Sequence, residues 1–212
     1  MRQARLRKPK TLSTDDALLT VLERARAVGF LGPGPLRVHL DHARMYLRHL
    51  SPEPRRVIDL GSGGGLPGLP LFVDRPDCQG VLLDASQKRG SFLVWALSEL
   101  QLTDRVSVVV DRAERRAHDD DFRESFDLVV CRGFGPPAVT VECSAGYLAD
   151  GGRLLISEPP GGRAWPDSAL GDIGLVHRNT GDEVAVFDRV AKYPAELPRN
   201  AKQMKKSPLF AL

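Results

Sequence analysis

The run Val57-Ile58-Asp59-Leu60-Gly61-Ser62-Gly63-Gly64-Gly65-Leu66-Pro67-Gly68 constrains this chain more than any other stretch, because it reads as a buried strand, a carboxylate near its end, a glycine turn and a helix start. Glycine reaches positive φ without steric cost and has no Cβ to hold a ligand off, so such a turn brings main-chain groups up to a nucleotide. Two cofactor classes use it. Read from Gly63, Gly63-Gly64-Gly65-Leu66-Pro67-Gly68 matches the dinucleotide fingerprint G-x-G-x-x-G, with Asp84 at the end of the next apolar run as the ribose acceptor. A pyrophosphate, however, needs free N–H groups at the helix start, and Pro67 and Pro70 carry none. S-adenosylmethionine has no phosphate, and its sulfonium and amino acid tail suit Asp59 and a prolyl helix start, with Gly61, Gly63 and Gly65 allowing close approach. The methyl donor is expected over NAD and an oxidoreductase, and a purely structural glycine turn is the third reading.

The rest of the chain alternates. Ser13 with Asp16 forms a capping-box pattern for a helix that Gly29 closes, and Leu36, Leu40, Ala43, Leu47 and Leu50 make a second helical stripe. Strands are expected over 56–60, 80–84, 106–110, 126–131 and 153–157, with helices over 68–74, 87–100 (capped by Ser86) and 137–148. This is the pattern of a parallel sheet covered on both faces. The apolar runs 175–178 and 184–192 flank the turn-rich Asn179-Thr180-Gly181-Asp182, which signals an antiparallel hairpin. The expected fold is therefore α/β, a Rossmann-like class I methyltransferase: a mostly parallel seven-stranded sheet with a terminal antiparallel hairpin and an N-terminal helical extension. Residues 1–52 are expected to form the basic N-terminus and extension, and residues 53–212 the cofactor-binding core with a basic tail.

Composition narrows the setting. With 212 residues and 42% hydrophobic content, one sizeable core is possible. Cys78, Cys131 and Cys143 lie far apart without a C-x-x-C pair, which argues for a reducing compartment and against a zinc knuckle. No apolar run approaches the roughly 20 residues that span a bilayer, so a soluble, cytoplasmic chain, acting as a monomer, is expected. The net charge of +3 is unevenly spread. Arg2, Arg5, Arg7, Lys8 and Lys10 face no acid in residues 1–10, and Arg189, Lys192, Arg199, Lys202, Lys205 and Lys206 face only Glu196 beyond residue 188, around an acidic body. Basic ends neutralise phosphates of a polyanion; the plainer reading is a solubilising tail at each end.

The residues also carry a resemblance. Asp59-Leu60-Gly61-Ser62-Gly63-Gly64-Gly65-Leu66-Pro67-Gly68-Leu69-Pro70, Arg75-Pro76, Leu83-Asp84-Ala85-Ser86-Gln87-Lys88-Arg89, Arg112-Ala113-Glu114 and, upstream, His39-Leu40-Asp41 resemble the bacterial 16S ribosomal RNA guanine-N7 methyltransferase family, also called glucose-inhibited division protein B. The resemblance spans roughly residues 28 to 157 and resumes at Tyr193-Pro194 and Lys206-Ser207-Pro208-Leu209-Phe210. It implies transfer of methyl from S-adenosylmethionine to guanine N7 in ribosomal RNA of the small subunit, with cofactor contacts at Gly61, Leu66, Ala113, Glu114 and Arg132. The chain departs from the family at Ser157-Glu158-Pro159-Pro160-Gly161-Gly162, where Lys-Gly is usual. A paralogue acting on another RNA or a small molecule, or an RNA-binding relative without activity, stays open on that ground.

Each candidate has a plainer alternative. Asp84, with Ala85 beside it, is placed to accept both ribose hydroxyls or merely to cap the following helix. Ala113-Glu114 flanks the adenine or is part of a solvated run. Arg132 serves as the catalytic positioning group or pairs with a neighbouring acid. His39 and His42 are three apart on a helix with no further ligands in sight, so no metal is expected. Guanine N7 has a lone pair and no proton to lose, so the absence of a Cys/His or Ser/His/Asp arrangement is compatible with this chemistry.

Overall fold

The computed structural model describes residues 13–50, 54–178, 180, 181 and 183–211; the basic residues 1–10, and Asn179 and Asp182 of the hairpin turn, lie outside them. Helix α1 (Thr14–Ala27) opens on the expected capping box: the Asp16 N–H donates to Ser13 Oγ at 3.2 Å and the Ser13 N–H to Asp16 Oδ2 at 3.3 Å. Helix α2 (Leu36–Met45) runs on into a 3-10 turn at Tyr46–His49. There follow β1 (Arg56–Leu60), α3 (Gly68–Asp74), β2 (Gln79–Asp84), α4 (Gln87–Glu99), β3 (Val106–Val110), α5 (Ala113–Arg116), β4 (Phe126–Cys131) and α6 (Pro137–Ala145). The chain closes with β5 (Leu148–Ser157), α7 (Asp167–Gly171), β6 (Leu175–Arg178), β7 (Val184–Arg189) and α8 (Ala201–Lys206).

The strands form one sheet in the order β3-β2-β1-β4-β5-β7-β6, parallel from β3 to β5, with β7 antiparallel to both β5 and β6. The expected hairpin is present. One face buries Leu18, Leu22, Leu40 and Tyr46 of the extension in the same apolar cluster as Leu69, Phe72 and Leu93. The extension thus shares its core with α3 and α4, and Arg44 reinforces the junction by bonding Asp15 at 2.6 Å and Asp74 at 2.8 Å. The other face packs Val141, Tyr147, Trp165, Phe187 and Tyr193.

Three boundaries differ from the expected ones by three residues or more. The helix expected over 137–148 stops at Ala145, the strand expected from residue 153 starts at Leu148, and the run expected over 184–192 is a strand only to Arg189. The register with β4 shifts between the Phe126–Leu148 and Leu128–Arg153 pairings, and Gly151, at φ +72°, lies within the shifted stretch of β5.

The charge reading of the tail changes as well. Arg189 is 4% exposed and bonds Glu124 at 2.7 Å and Asp150 at 3.0 Å, while Arg199 bonds buried Glu142 at 2.6 Å. These two cations hold the fold together. Lys192, Lys202, Lys205 and Lys206 are the ones exposed to solvent.

Candidate active site

Strand register builds the site. Leu60 lies level with Leu83 and with Cys131, and Cys131 with Ile156. Gly61, Asp84, Arg132 and Ser157 therefore emerge side by side at the carboxyl edge. The strand order reverses between β1 and β4, which is where open α/β sheets form their ligand crevice.

The glycine turn is tied to its neighbours. The Gly61 and Ser62 N–H groups both donate to the Leu83 carbonyl, at 2.8 and 3.1 Å, and the Gly63 N–H donates to Asp84 Oδ2 at 2.9 Å. Gly61 has φ +71°, and a Cβ there would come within 2.9 Å of Phe134 Cδ2, so both conformation and space require glycine. At the start of α3, Pro67 and Pro70 have no N–H, the Gly68 N–H donates to Asp59 Oδ2 at 3.0 Å, and the Leu69 N–H donates to the Gly65 carbonyl at 2.8 Å. The first turn of α3 thus offers no free donor to a pyrophosphate, which argues against the dinucleotide reading.

A cavity of about 290 Å³ lies over this edge, walled by Gly61, Asp84, Ala85, Ala113 and Glu114 together with Asp111, Phe134, Val139 and Met204. Five of the ten residues singled out by sequence meet here, and Gly63 joins them through Asp84. Asp84 Oδ1 also accepts the Ser86 N–H at 2.8 Å. A carboxylate has about four lone-pair positions; with these two N–H groups bound and Arg89 Nη1 3.6 Å from Oδ2, acceptor capacity remains for a diol. Tyr147 Oη donates to the Ala113 carbonyl at 2.7 Å and fixes that wall, and Glu114 accepts from Arg112 Nε at 2.5 Å.

The others lie behind or beside the cavity. Asp59 is fully buried beneath the turn, and burial pushes its carboxyl up to about 7 despite the Gly68 N–H it accepts. Gly65 and Leu66 shape the turn; a Cβ on Gly65 would run into the Leu69 side chain. Arg132 points across to the extension, where its Nη2 donates to His39 Nδ1 at 3.0 Å. His39 Nε2 meets the Pro33 carbonyl at 3.0 Å, which only accepts, so Nε2 carries the proton and Nδ1 the lone pair. Burial lowers the Arg132 pKa, and its Nη1 has no partner among the described residues. Cys131 and Cys143 are buried, and burial pushes the Cys131 thiol up to about 12 and the Cys143 thiol higher, so neither is a ready nucleophile.

Sequence reading missed Asp111, Phe134, Val139 and Met204 in the wall and His39 as the partner of Arg132. Asp111, directly after the apolar run of β3, and Met204, on the helix marked by the Asn200 and Gln203 capping box, had a signal.

The profile of the rRNA small subunit methyltransferase G family matches residues 36–158, more than half of the chain. The chain belongs to that family. A ribosomal RNA small subunit methyltransferase G of Leuconostoc mesenteroides is 30% identical over 179 residues, covering 78% of this chain and 74% of the relative. One of Dictyoglomus thermophilum is 29% identical over 166 residues, 73% of this chain and 69% of the relative. Among solved structures, the cofactor-bound Rv0187 from MTB matches with a TM-score of 0.60 at 20% identity, over 84% of this chain and 92% of that one, which shows the shared fold. As a member of the rRNA small subunit methyltransferase G family the chain is an S-adenosylmethionine-dependent methyltransferase. Asp84 keeps acceptor capacity for a ribose, and the glycine turn beside it leaves the backbone bare.

This assignment of Asp84 has a measurable consequence. Asp84→Ala removes a charged acceptor and the tether of Gly63, and a hydrogen bond to a charged group contributes about 1.5–3 kcal/mol, so S-adenosylmethionine affinity should fall roughly 10- to 100-fold. Calorimetric titration checks it; unchanged affinity in a folded variant rules Asp84 out as a ligand.

Proposed function

We propose that this chain methylates N7 of a guanine in 16S ribosomal RNA of the small ribosomal subunit. The observation that supports it most is the cavity itself: an acceptor for an adenosyl ribose stands beside a helix start with no donor for phosphate, in a chain of this family. S-adenosylmethionine, when bound, supplies an electrophilic methyl group on a sulfonium. Guanine N7 meets it with a lone pair and no proton, so the protein has to align the two partners and manage charge; it needs no general base. The buried thiols and the His39 ring, held between Pro33 and Arg132, are consistent with that economy. Gly61, Asp84, Ala85, Ala113 and Glu114 are assigned to holding the donor. Arg132, kept in place by His39, is assigned to positioning the base or its phosphate, since methylated N7 leaves the ring positive and a cation against it would oppose the product.

The test is transfer of labelled methyl to 30S subunits that lack the modification, with the modified base then mapped. Label on one guanine, with strand scission on borohydride and aniline treatment, is expected. Label on an exocyclic or pyrimidine position, or on no RNA, overturns the proposal.

The exposed tail lysines give a second measurement. Replacing Lys202, Lys205 and Lys206 by glutamine should flatten the dependence of log affinity for RNA on log salt by about 2, because each phosphate contact releases somewhat less than one counterion. S-adenosylmethionine affinity should not move. An unaltered slope would mean that these charges serve solubility alone.

A further inference from the structure

The departure at Ser157-Glu158-Pro159-Pro160 builds a second cavity, of about 440 Å³, at the end of β5. Glu158, Arg163, Trp165 and His177 line it. Glu158 is 7% exposed, its N–H donates to the Glu183 carbonyl at 2.7 Å, and its Oε1 accepts from Arg163 Nη1 at 2.9 Å. Oε2, equally buried, has no hydrogen-bond partner among the described residues. Burial raises the Glu158 pKa; Trp165 Nε1, which has no aligned hydrogen-bond partner among the described residues, lies near the carboxylate and opposes that rise. An unpaired acceptor held out of water at a cavity wall is costly, and a ligand that supplies the missing donor recovers the cost.

Its pattern identifies the donor. Arg163 Nη1, Oε1 and Oε2 present in sequence a donor, an acceptor and an acceptor. The Watson–Crick edge of guanine presents the complement: the O6 acceptor, the N1–H donor and the N2 amino donor. Oε1 takes N1–H on its second lone pair. Adenine would set its N1 lone pair against Oε1, and a pyrimidine carbonyl would set an acceptor against Oε2. Gly161 and Gly162, where an added Cβ would meet nothing, leave the loop side open to an entering base.

The geometry points to this cavity as the receiving site for the target guanine, read on its Watson–Crick edge by Glu158 and Arg163. The inference rests on the methyltransferase reading above and names the substrate contact within it. Glu158 lies two strands from Gly61, through β4, or about 10 Å at the usual strand spacing. That is roughly the length of a purine with a contact at each end. A guanine held by N1 and N2 turns N7 away from Glu158.

Binding of guanosine 5′-monophosphate to the full chain, compared with inosine 5′-monophosphate, isolates one hydrogen bond without altering the protein, because inosine lacks only the N2 amino group. Guanosine monophosphate should bind at least about 10-fold more tightly. Glu158→Gln, whose amide offers a donor where an acceptor is needed, should abolish that preference and lower kcat/KM on 30S subunits by 10-fold or more while S-adenosylmethionine affinity stays the same. Equal affinity for the two nucleotides overturns the inference, as does native kcat/KM in the variant. Should the variant fail to fold, the nucleotide comparison decides alone. A guanosine preference that depends on Glu158, in a protein that transfers no methyl to ribosomal RNA, would instead refute the proposed function and keep the site.

Discussion

Arg199→Ala should be the most destabilising single change outside the apolar core. Glu142 is fully buried on α6, and three of its hydrogen bonds come from Arg199: from the main-chain N–H at 2.8 Å, Nε at 2.9 Å and Nη2 at 2.6 Å. Arg199 Nη1 also donates to the Ser207 carbonyl at 2.8 Å, so one guanidinium ties both ends of α8 to α6. Truncating it leaves the buried carboxylate with the main-chain N–H alone and without its countercharge, and breaking a buried ion pair in this way costs about 3–5 kcal/mol. For an m-value of about 1–3 kcal/mol/M, the urea midpoint should fall by at least about 1 M. Arg199→Lys should recover only part of this, because an ammonium cannot make the two-pronged contact. Since Ala201 and Met204 of α8 wall the cavity proposed to hold the donor, the alanine variant should also bind S-adenosylmethionine more weakly under conditions where it is still folded. A native midpoint would show that α8 is held by something other than this pair.

That pair also shows where sequence reading stops. The strand, glycine turn and helix from Arg56 to Asp74 were legible to the residue because each part has a local cause: apolar residues through β1, glycine where φ turns positive, and proline where a helix opens. Ser13 and Ser86 marked their helices for the same reason. Arg189 and Arg199 were not legible. As members of a basic tail they look like ligands for phosphate, and only the fold reveals that Glu124 and Glu142 neutralise them. The His39–Arg132 contact spans 93 positions and has no local signature. Glu158 was visible as an anomaly, but its partner Arg163 depends on how residues 159–163 fold back. Of the cavity walls, Asp84 ends a strand and Ala113-Glu114 open α5 shortly after another, where periodicity could place them, whereas Phe134 and Val139 arrive from the loop and helix after β4.

Asp59 gives the second large effect, and it appears as a dependence on pH. Burial raises its carboxyl pKa in the folded chain to about 7, against about 3.9 when unfolded. Between those values the folded state holds a proton that the unfolded state has released, so this group's contribution to stability is complete below about pH 4 and is lost as pH rises through 7. The slope is at most about 1.4 kcal/mol per pH unit, and the whole window amounts to roughly 4 kcal/mol at most. Asp59→Asn keeps an oxygen for the Gly68 N–H and cannot ionise. Its stability relative to the native chain should therefore improve steadily from pH 4 to 7 and level off above, as read from urea midpoints across that range. Parallel pH profiles for the two proteins would show that the native carboxyl is not held protonated. Opposing forces act on the same group: Arg132 favours the ionised form, and a bound sulfonium or ammonium near the turn would favour it further. Binding of S-adenosylmethionine near pH 7 should accordingly release a fraction of a proton, visible as a dependence of the calorimetric enthalpy on the ionisation heat of the buffer, and that release should vanish in Asp59→Asn.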